Sequence, residues 1–245
     1  MELGIKNKRA LVLASSSGLG KAVAHELISE GADVIISSRN IEKLKATANE
    51  INAKGYIPCD LSDSNAIENL MSMASKKLGG IDILITNAGG PPSGKFMNIN
   101  DLQWNNSFQE LFMSVVKSVR AVHPLMAKQH WGRIVMLTSI AGKESIHNLT
   151  ISNAIRAGVH GLMNTLSKEL GPDGITVNAI LPTYTETDRL KQLNVNKKEL
   201  IKQIPVNRMG RPDELGKLTA YLCSEQAGFI SGQAIGFDGG SMHGI

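Results

Sequence analysis

The fold is decided by the stretch Arg9-Ala-Leu-Val-Leu-Ala-Ser-Ser-Ser-Gly-Leu-Gly20. A short aliphatic run opens it, and the small residues that follow lead into helical spacing at Val23, Leu27 and Ile28. Small residues between a strand and a helix let the backbone approach a pyrophosphate, and the helix N-terminus offers free N–H groups. A glycine pair at such a turn can also serve only the close packing of strand and helix, without any bound ligand. The predicted phosphate contacts are Ala14, Ser16, Ser17, Gly18, Leu19 and Gly20.

The rest of the chain repeats this alternation of aliphatic strands and helices. Further strands are predicted at residues 32–37, 55–59, 81–86, 133–138, 175–181 and 233–237. Further helices are predicted at residues 41–53, 62–78, 104–129, 152–170 and 212–223. Strands and helices alternating at this spacing form βαβ units. We therefore predict a Rossmann-like α/β fold: a doubly wound parallel sheet of about seven strands with helices on both faces.

Length and composition indicate one domain over residues 1–245, and the glycine turn near its start predicts that this domain binds a dinucleotide. Hydrophobic residues make up 42% and aromatic residues 4%, which predicts an aliphatic interior suited to buried parallel strands. No Pro/Ser-rich linker divides the sequence. The segment at about 183–207 is polar and weakly periodic, and we expect it to form a substrate loop.

Several functional classes are disfavoured by charge and composition. A net charge of +4 is spread along the chain, so we expect no nucleic-acid partner. The sequence shows neither a targeting signal nor a membrane-length apolar stretch, which predicts a cytoplasmic protein without membrane contact. Cys59 and Cys223 are expected to be reduced core thiols. Metal-ligand spacing is absent, so no metal is expected; the helical histidines considered are His123, His130 and His160.

The end of the second predicted strand indicates which dinucleotide binds. An acidic residue there would bind the adenosine ribose hydroxyls and favour NAD. This chain instead has Ser37-Ser38-Arg39-Asn40. The Arg39 guanidinium can pair bidentately with a 2′-phosphate, and the Ser38 hydroxyl can donate to it. The pattern favours NADP over NAD, although Arg39 can also be a solvated turn residue.

Further motifs stand at the ends of the later predicted strands. In chain order they are Asp60-Leu61, Thr86-Asn87-Ala88-Gly89, Ser139 and Pro182-Thr-Tyr-Thr-Glu-Thr187. In this order and spacing, the chain resembles the short-chain dehydrogenase/reductase family over nearly its full length, particularly its 3-oxoacyl-(acyl-carrier-protein) reductase branch. The family's first glycine motif is matched imperfectly, because Leu13 and Ala14 replace its Thr and first Gly.

The resemblance implies roles for these residues. It assigns Asp60 and Leu61 to the adenine side of the dinucleotide and implies that Thr185 and Thr187 face the nicotinamide carboxamide. The remaining cofactor positions carried over are Asn87, Ala88, Gly89, Arg156 and Pro182. Members of the family commonly assemble through the helices predicted at 104–129 and 152–170. A homo-oligomer, either a dimer or a tetramer, is therefore expected.

The departures from the family pattern concentrate at its catalytic positions. Only Ser139 is retained, whereas the helix asparagine falls on Leu111 and the Tyr-x-x-x-Lys pair falls on Ser152 and Arg156. No other register restores that pair. The chain's tyrosines are Tyr56, Tyr184 and Tyr221, and none is followed by lysine four residues later.

These replacements leave the proton donor open. A serine hydroxyl is a far weaker acid than a phenol, and Arg156 stays charged at working pH. His147, Tyr184 and an ordered water are the candidate donors, while either side chain can also be an ordinary loop residue. We therefore expect an NADP-dependent oxidoreductase of a small carbonyl or alcohol substrate, with Ser139, Ser152, Arg156 and His147 as candidate catalytic residues. The alternative is a catalytically impaired NADP-binding sensor or oligomeric partner.

Overall fold

A computed structural model of the chain describes residues 1–187 and 197–244. Its strands are β1 (Arg9–Val12), β2 (Asp33–Ser38), β3 (Gly55–Pro58), β4 (Ile83–Thr86), β5 (Gly132–Leu137), β6 (Ile175–Pro182) and β7 (Ala234–Phe237). They form one sheet in the order β3-β2-β1-β4-β5-β6-β7, and every neighbouring pair is parallel. The predicted doubly wound sheet is confirmed.

Helices connect these strands. They are α1 (Gly18–Ser29), α2 (Ile41–Glu50), α3 (Ser64–Leu78), α4 (Asp101–Phe108), α5 (Ser114–Lys128), α6 (Thr150–Glu169), α7 (Lys197–Lys202) and α8 (Pro212–Leu222). The α3 helix begins at Ser64, two residues later than predicted, because the Asp63 carboxylate accepts hydrogen bonds from the backbone N–H groups of Asn65 and Ala66 and so caps the helix there. Part of the predicted substrate loop, residues 188–196, lies outside the described residues.

The core lies on both faces of the sheet because strand side chains alternate in direction. On β1, Leu11 packs into one apolar cluster with residues of α3, α5 and α6. Its neighbours Ala10 and Val12 pack into a second cluster with residues of α1, α2 and α8. Helices therefore cover both faces, as predicted.

The long helix predicted over residues 104–129 is interrupted. A π-helical segment, Gln109–Met113, separates α4 from α5. The hydrophobic spacing predicts one continuous helix here. The wider π-helical turn is not predicted by that spacing. Within it, Leu111 is buried against Ile151 and Ile155. π-Helical turns of this kind often lie at functional sites.

The sheet topology determines where a ligand can bind. From β1 the chain runs outward to β2 and β3, then crosses back to β4 on the other side of β1. In open parallel sheets, ligands bind beyond the carboxyl ends of the strands at this point of reversal. Among the helices of the described residues, none combines the length and apolar character needed to span a bilayer.

Candidate active site

A cleft of about 400 Å³ opens at the carboxyl ends of β1, β4, β5 and β6. This volume is within the range typical of small-molecule sites. The structure brings most of the predicted site residues to its walls. They are Ala14, Ser17, Gly18, Leu19, Asn87, Ala88, Gly89, Ser139, Ser152, Arg156, Pro182, Thr185 and Thr187.

The turn between β1 and α1 forms one end of the cleft. Gly18 opens α1 with a φ of +57°, and the first turn of the helix contains no acidic residue. Free N–H groups at this end therefore face the cleft without a competing negative charge. Ala14 adopts a φ of +46°, a left-handed conformation that favours glycine. This explains why the family pattern has glycine at that position.

Side-chain hydrogen bonds tie this turn to β4 and β2. The Asn87 side-chain amide after β4 donates to the Ala14 carbonyl at 3.0 Å. The Ser15 hydroxyl donates to the Val12 carbonyl at 2.7 Å and accepts from the Ser37 backbone N–H at 3.1 Å. The turn between β1 and α1, predicted to contact phosphate, is thus held from both sides, and Asn87 has a structural role in addition to lining the cleft.

Gly20 packs against the backbone of the turn and does not line the cleft. A Cβ there would come 2.6 Å from the Ala14 carbonyl oxygen and 2.9 Å from the Ser15 Cα, both backbone atoms. We expect Gly20→Ala to lower the free energy of unfolding by about 2 kcal/mol, because the turn must shift to make room. Urea denaturation measures this, and NADPH affinity should fall with it.

A matched control is Gly161→Ala in the exposed part of α6, where a Cβ would meet nothing within 4 Å. It should raise the free energy of unfolding by about 1 kcal/mol, since alanine is the better helix former. Equal stability of Gly20→Ala and the unmodified protein would show that the turn tolerates displacement.

A second hollow, of about 210 Å³, lies beside the end of β2. Predicted cofactor residues on its walls are Ala14, Ser16, Ser38, Arg39, Leu61 and Gly89. Within the described ranges, the buried hydroxyls of Ser37 and Ser38 have no hydrogen-bond partner. Such buried polar atoms are costly unless a ligand or water satisfies them.

Asp60 stands outside both hollows and is exposed. Ser62 donates its backbone N–H and its hydroxyl to this carboxylate, at 3.0 and 2.8 Å. These bonds, together with the charge of Arg39, lower the pKa of Asp60. Asp60 thus caps the turn that begins at Ser62 and carries a negative charge close to Arg39, but the structure does not bring it to the walls of either hollow.

The candidate catalytic groups gather at the opposite end of the cleft. Ser139 follows β5, and its Oγ accepts a hydrogen bond from the Ala141 N–H at 3.1 Å, which leaves the hydroxyl hydrogen available to donate. Ser152 and Arg156 lie one turn apart on α6, only 6% and 9% exposed. The Arg156 guanidinium donates to the Leu137 carbonyl at 3.3 Å. A buried positive charge thus stands beside two hydroxyls.

Leu111 faces a small inner cavity behind these groups. The cavity is also lined by Ser114, Thr138 and Arg156. An isobutyl side chain offers no donor or acceptor, so position 111 supplies no side-chain relay from the cleft to the helix behind it.

Of the two proposed proton-donating side chains, the structure brings only one to the cleft. His147 is exposed and is absent from the walls of the cleft. Tyr184 does line the cleft, although its side chain also packs against Ile204 and Met209. His147 is displaced because the loop before α6 directs it outward, which helix and strand patterns do not predict.

Three further residues at these sites are not indicated by the motifs in the sequence. Glu110 lines the adenosine-side hollow, and a Cβ on Gly89 would lie 3.2 Å from its Oε1. Thr138 lines the cleft next to Ser139. His160 lies one turn beyond Arg156, and its Nε2 is 2.8 Å from the Thr138 hydroxyl. The four-residue spacing of Ser152, Arg156 and His160 was the available signal.

No metal centre is formed by the described residues: they contain no cluster of three or more His, Cys, Asp or Glu side chains suited to a metal ion. The chemistry available in the cleft is hydrogen-bond donation and a fixed positive charge.

Comparison with known proteins agrees with this geometry. A family model described as enoyl-(acyl carrier protein) reductase matches residues 13–242. The chain is 34% identical over 239 residues to nodulation protein G of Rhizobium sp. (strain N33), covering 96% of this chain and 97% of that protein. It is also 34% identical over 250 residues to the 3-oxoacyl-(acyl-carrier-protein) reductase FabG of Aquifex aeolicus (strain VF5), covering 98% and 99%.

Solved structures show the same fold. The L-sorbose reductase of Gluconobacter frateurii, complexed with NADPH and L-sorbose, superposes with a TM-score of 0.94 at 26% identity over the whole of both chains. The match thus extends from the phosphate turn to the last strand, in sequence and in structure. The chain therefore belongs to the short-chain dehydrogenase/reductase family of oxidoreductases.

Proposed function

We propose that this protein is an NADP(H)-dependent oxidoreductase that transfers hydride between the nicotinamide and a small carbonyl or alcohol substrate, by a proton route without Tyr-x-x-x-Lys. One observation carries the proposal: a single cleft joins the phosphate turn to Ser139, Ser152 and Arg156. Thr187 packs over the turn, its Cγ2 3.7 Å from where a Cβ of Gly18 would lie. A residue assigned to the nicotinamide carboxamide thus lies against the turn assigned to the phosphates.

The residues beside β2 fit the 2′-phosphate of NADP. Arg39 supplies a fixed cation, and the partnerless hydroxyls of Ser37 and Ser38 supply donors. No acidic residue follows β2 to bind ribose hydroxyls in the manner of an NAD site. The complex of the L-sorbose reductase with NADPH supports the same cofactor class.

We assign the chemical roles as follows. The bound nicotinamide supplies or accepts the hydride. Ser139 and Ser152 donate hydrogen bonds to the substrate carbonyl oxygen, and Arg156 stabilises the negative charge that develops there. Arg156 keeps its proton at working pH, and serine hydroxyls are poor acids, so the proton comes from water or from the Tyr184 phenol, which also lines the cleft. The lack of a phenolic donor slows hydride transfer, but the nicotinamide and the carbonyl are still held close together, and this proximity favours the reaction.

Arg39→Gln tests the cofactor assignment. We expect the Kd for NADPH to rise about tenfold, because an exposed arginine–phosphate pair contributes roughly 1.5 kcal/mol. The Kd for NADH should stay unchanged, since NADH lacks the 2′-phosphate. Fluorescence titration measures both constants. The control is Arg120→Gln, an exposed arginine on α5, and an equal loss of both dinucleotides in Arg39→Gln would contradict the assignment.

A second function is favoured by the acid-poor cleft. Among the described wall residues, Tyr184 and Arg156 are the only titratable side chains. A sensor or oligomeric partner that binds NADP(H) without turnover fits this composition. Titration with NADPH, NADP, NADH and NAD tests the shared premise, and failure to bind any of them would reject both functions. A panel of carbonyl substrates, followed by NADPH absorbance, then separates the two.

Self-association is part of the proposal. Apolar side chains lie exposed on α4 and just before it, including Leu102 at 66% exposure and Phe108 at 43%. Phe108 stacks on Phe112 with ring centroids 5.2 Å apart. An exposed apolar patch of this kind is typical of a protein interface. It supports a homodimer or homotetramer, which sedimentation equilibrium measures.

A further inference from the structure

His160 forms a connection that the proposed chemistry does not use. From α6, its Nε2 lies 2.8 Å from the Thr138 hydroxyl, at the end of β5. The Thr138 hydroxyl also lies 3.3 Å from the Ile180 carbonyl on β6. Thr138 immediately precedes Ser139 and is itself 7% exposed. The imidazole therefore reaches from the helix that carries Ser152 and Arg156 to the segment that carries Ser139.

The same ring also contacts the 3₁₀ turn Ile140–Gly142. A Cβ on Gly142 would lie 2.5 Å from the His160 Cε1 and 2.8 Å from the Arg156 carbonyl carbon. Only glycine allows the turn to lie this close to α6. The ring thus contacts both ends of the segment Thr138–Gly142, with Ser139 between them.

We propose that His160 is a positioning residue, whose bonds to Thr138 and to the Gly142 backbone fasten this segment to α6 and set the place of Ser139 relative to Ser152 and Arg156. The proposal rests on the proposed function, because positioning matters only where Ser139 acts on a substrate. In the neutral ring one nitrogen donates and the other accepts. The arrangement that satisfies both contacts has Nδ1–H donating to Gly142 and Nε2 accepting from Thr138.

The surroundings favour that neutral ring. Burial lowers the pKa of His160, and the positive charges of Arg156 on α6 and Lys143 after the turn lower it further. The hydrogen bond to the Gly142 backbone opposes them in part. When the ring gains a second proton, Nε2 becomes a donor, and the Thr138 hydroxyl must turn to the Ile180 carbonyl. Protonation of His160 at low pH therefore replaces one hydrogen-bond arrangement with another at Thr138, the residue before Ser139.

Kinetics of matched variants test the positioning role, using a substrate found with the carbonyl panel. His160→Leu and Thr138→Val should each lower kcat about fivefold, the worth of one hydrogen bond, with the Kd for NADPH unchanged. Thr138→Ser keeps the hydroxyl and should restore most of the rate. His25→Gln, an exposed histidine on α1, should leave kcat and the pH profile as they are.

The pH profile distinguishes positioning from simple loss of packing. The rate should fall as pH drops through the pKa of His160, below the usual histidine value of about 6.5, and this acid limb should vanish in His160→Leu. An acid limb that persists in His160→Leu would overturn the proposal.

Nitrogen NMR of the NADPH-bound protein gives a readout independent of turnover. The expected His160 tautomer carries its proton on Nδ1, and its pKa should lie below the usual histidine value of about 6.5. A ring protonated on Nε2, or one with an ordinary pKa, would overturn the proposal even if no substrate were found. Failure of the panel alone would instead count against the oxidoreductase function.

Discussion

Ser152→Tyr combined with Arg156→Lys is expected to raise the rate of carbonyl reduction by about 100-fold, the lower part of the range for a positioned general acid. A phenol, with a pKa near 10 that a neighbouring ammonium lowers, is a far better proton donor than a serine hydroxyl. Ser152 lies on the wall of the 400 Å³ cleft, so a larger ring can extend into open space. Single-turnover oxidation of NADPH with a saturating carbonyl substrate measures the rate.

The matched control is Ser152→Phe with Arg156→Lys, which adds the same ring without the hydroxyl. It should give no gain, because only the phenolic proton differs. An equal gain in both double variants would show that ring packing is responsible. If neither variant gains activity while NADPH still binds, the cleft lacks a competent hydride geometry, and the sensor function is favoured.

Asp82→Ala is expected to lower the free energy of unfolding by about 3 kcal/mol, because it removes a buried carboxylate and leaves the partly buried guanidinium of Arg9 without its charged partner. Asp82 is 4% exposed and stands just before β4, at the sheet edge opposite the cleft. Its carboxylate accepts from the backbone N–H and the Nε of Arg9, both at 2.8 Å, and from the side-chain amide of Gln129. Chemical denaturation measures the loss.

The contribution of Asp82 should depend on pH in a definite direction. Burial by itself would raise the pKa of Asp82, but the hydrogen bonds from Arg9 and Gln129 and the Arg9 charge outweigh it, so the folded pKa is lowered. The stabilisation is therefore complete above the unfolded value of about 3.9 and is lost as pH falls through the folded pKa.

The exposed pair of Asp33 and Lys54 provides the comparison for Asp82, with side chains 39% and 53% exposed. Asp33→Ala should cost less than about 1 kcal/mol, because solvent screens the pair. Losses of equal size at the two positions would show that burial does not strengthen the Asp82 network.

Much of the fold was predictable from local patterns. Each strand is a short aliphatic run bounded by turn residues, so the order of elements and the position of the β1–α1 turn follow directly. The place of Arg39 follows as well, because the carboxyl ends of parallel strands meet at one edge of a sheet. For the same reason Ser139 was expected near the cleft from its place after β5 alone.

Other features depend on contacts between residues far apart in the chain. The π-helical segment at Leu111 was hidden because its residues also suit an ordinary helix. His147 was expected at the cleft, but its loop turns it to solvent. His160 looked like one more helical histidine until the fold brought Thr138, 22 residues away, to 2.8 Å from its ring.

The sequence by itself determined the parallel sheet, the glycine-containing turn between β1 and α1, the arginine after β2 and the pairing of Ser152 with Arg156 one helical turn apart. These follow from residue type and spacing along one element or one turn. Only the tertiary structure decided which histidine stands near Ser139 and which carboxylate, Asp82, is buried. The position of that histidine depends on distances between separate elements, and the burial of Asp82 depends on the exclusion of water. Neither can be deduced from a local sequence pattern.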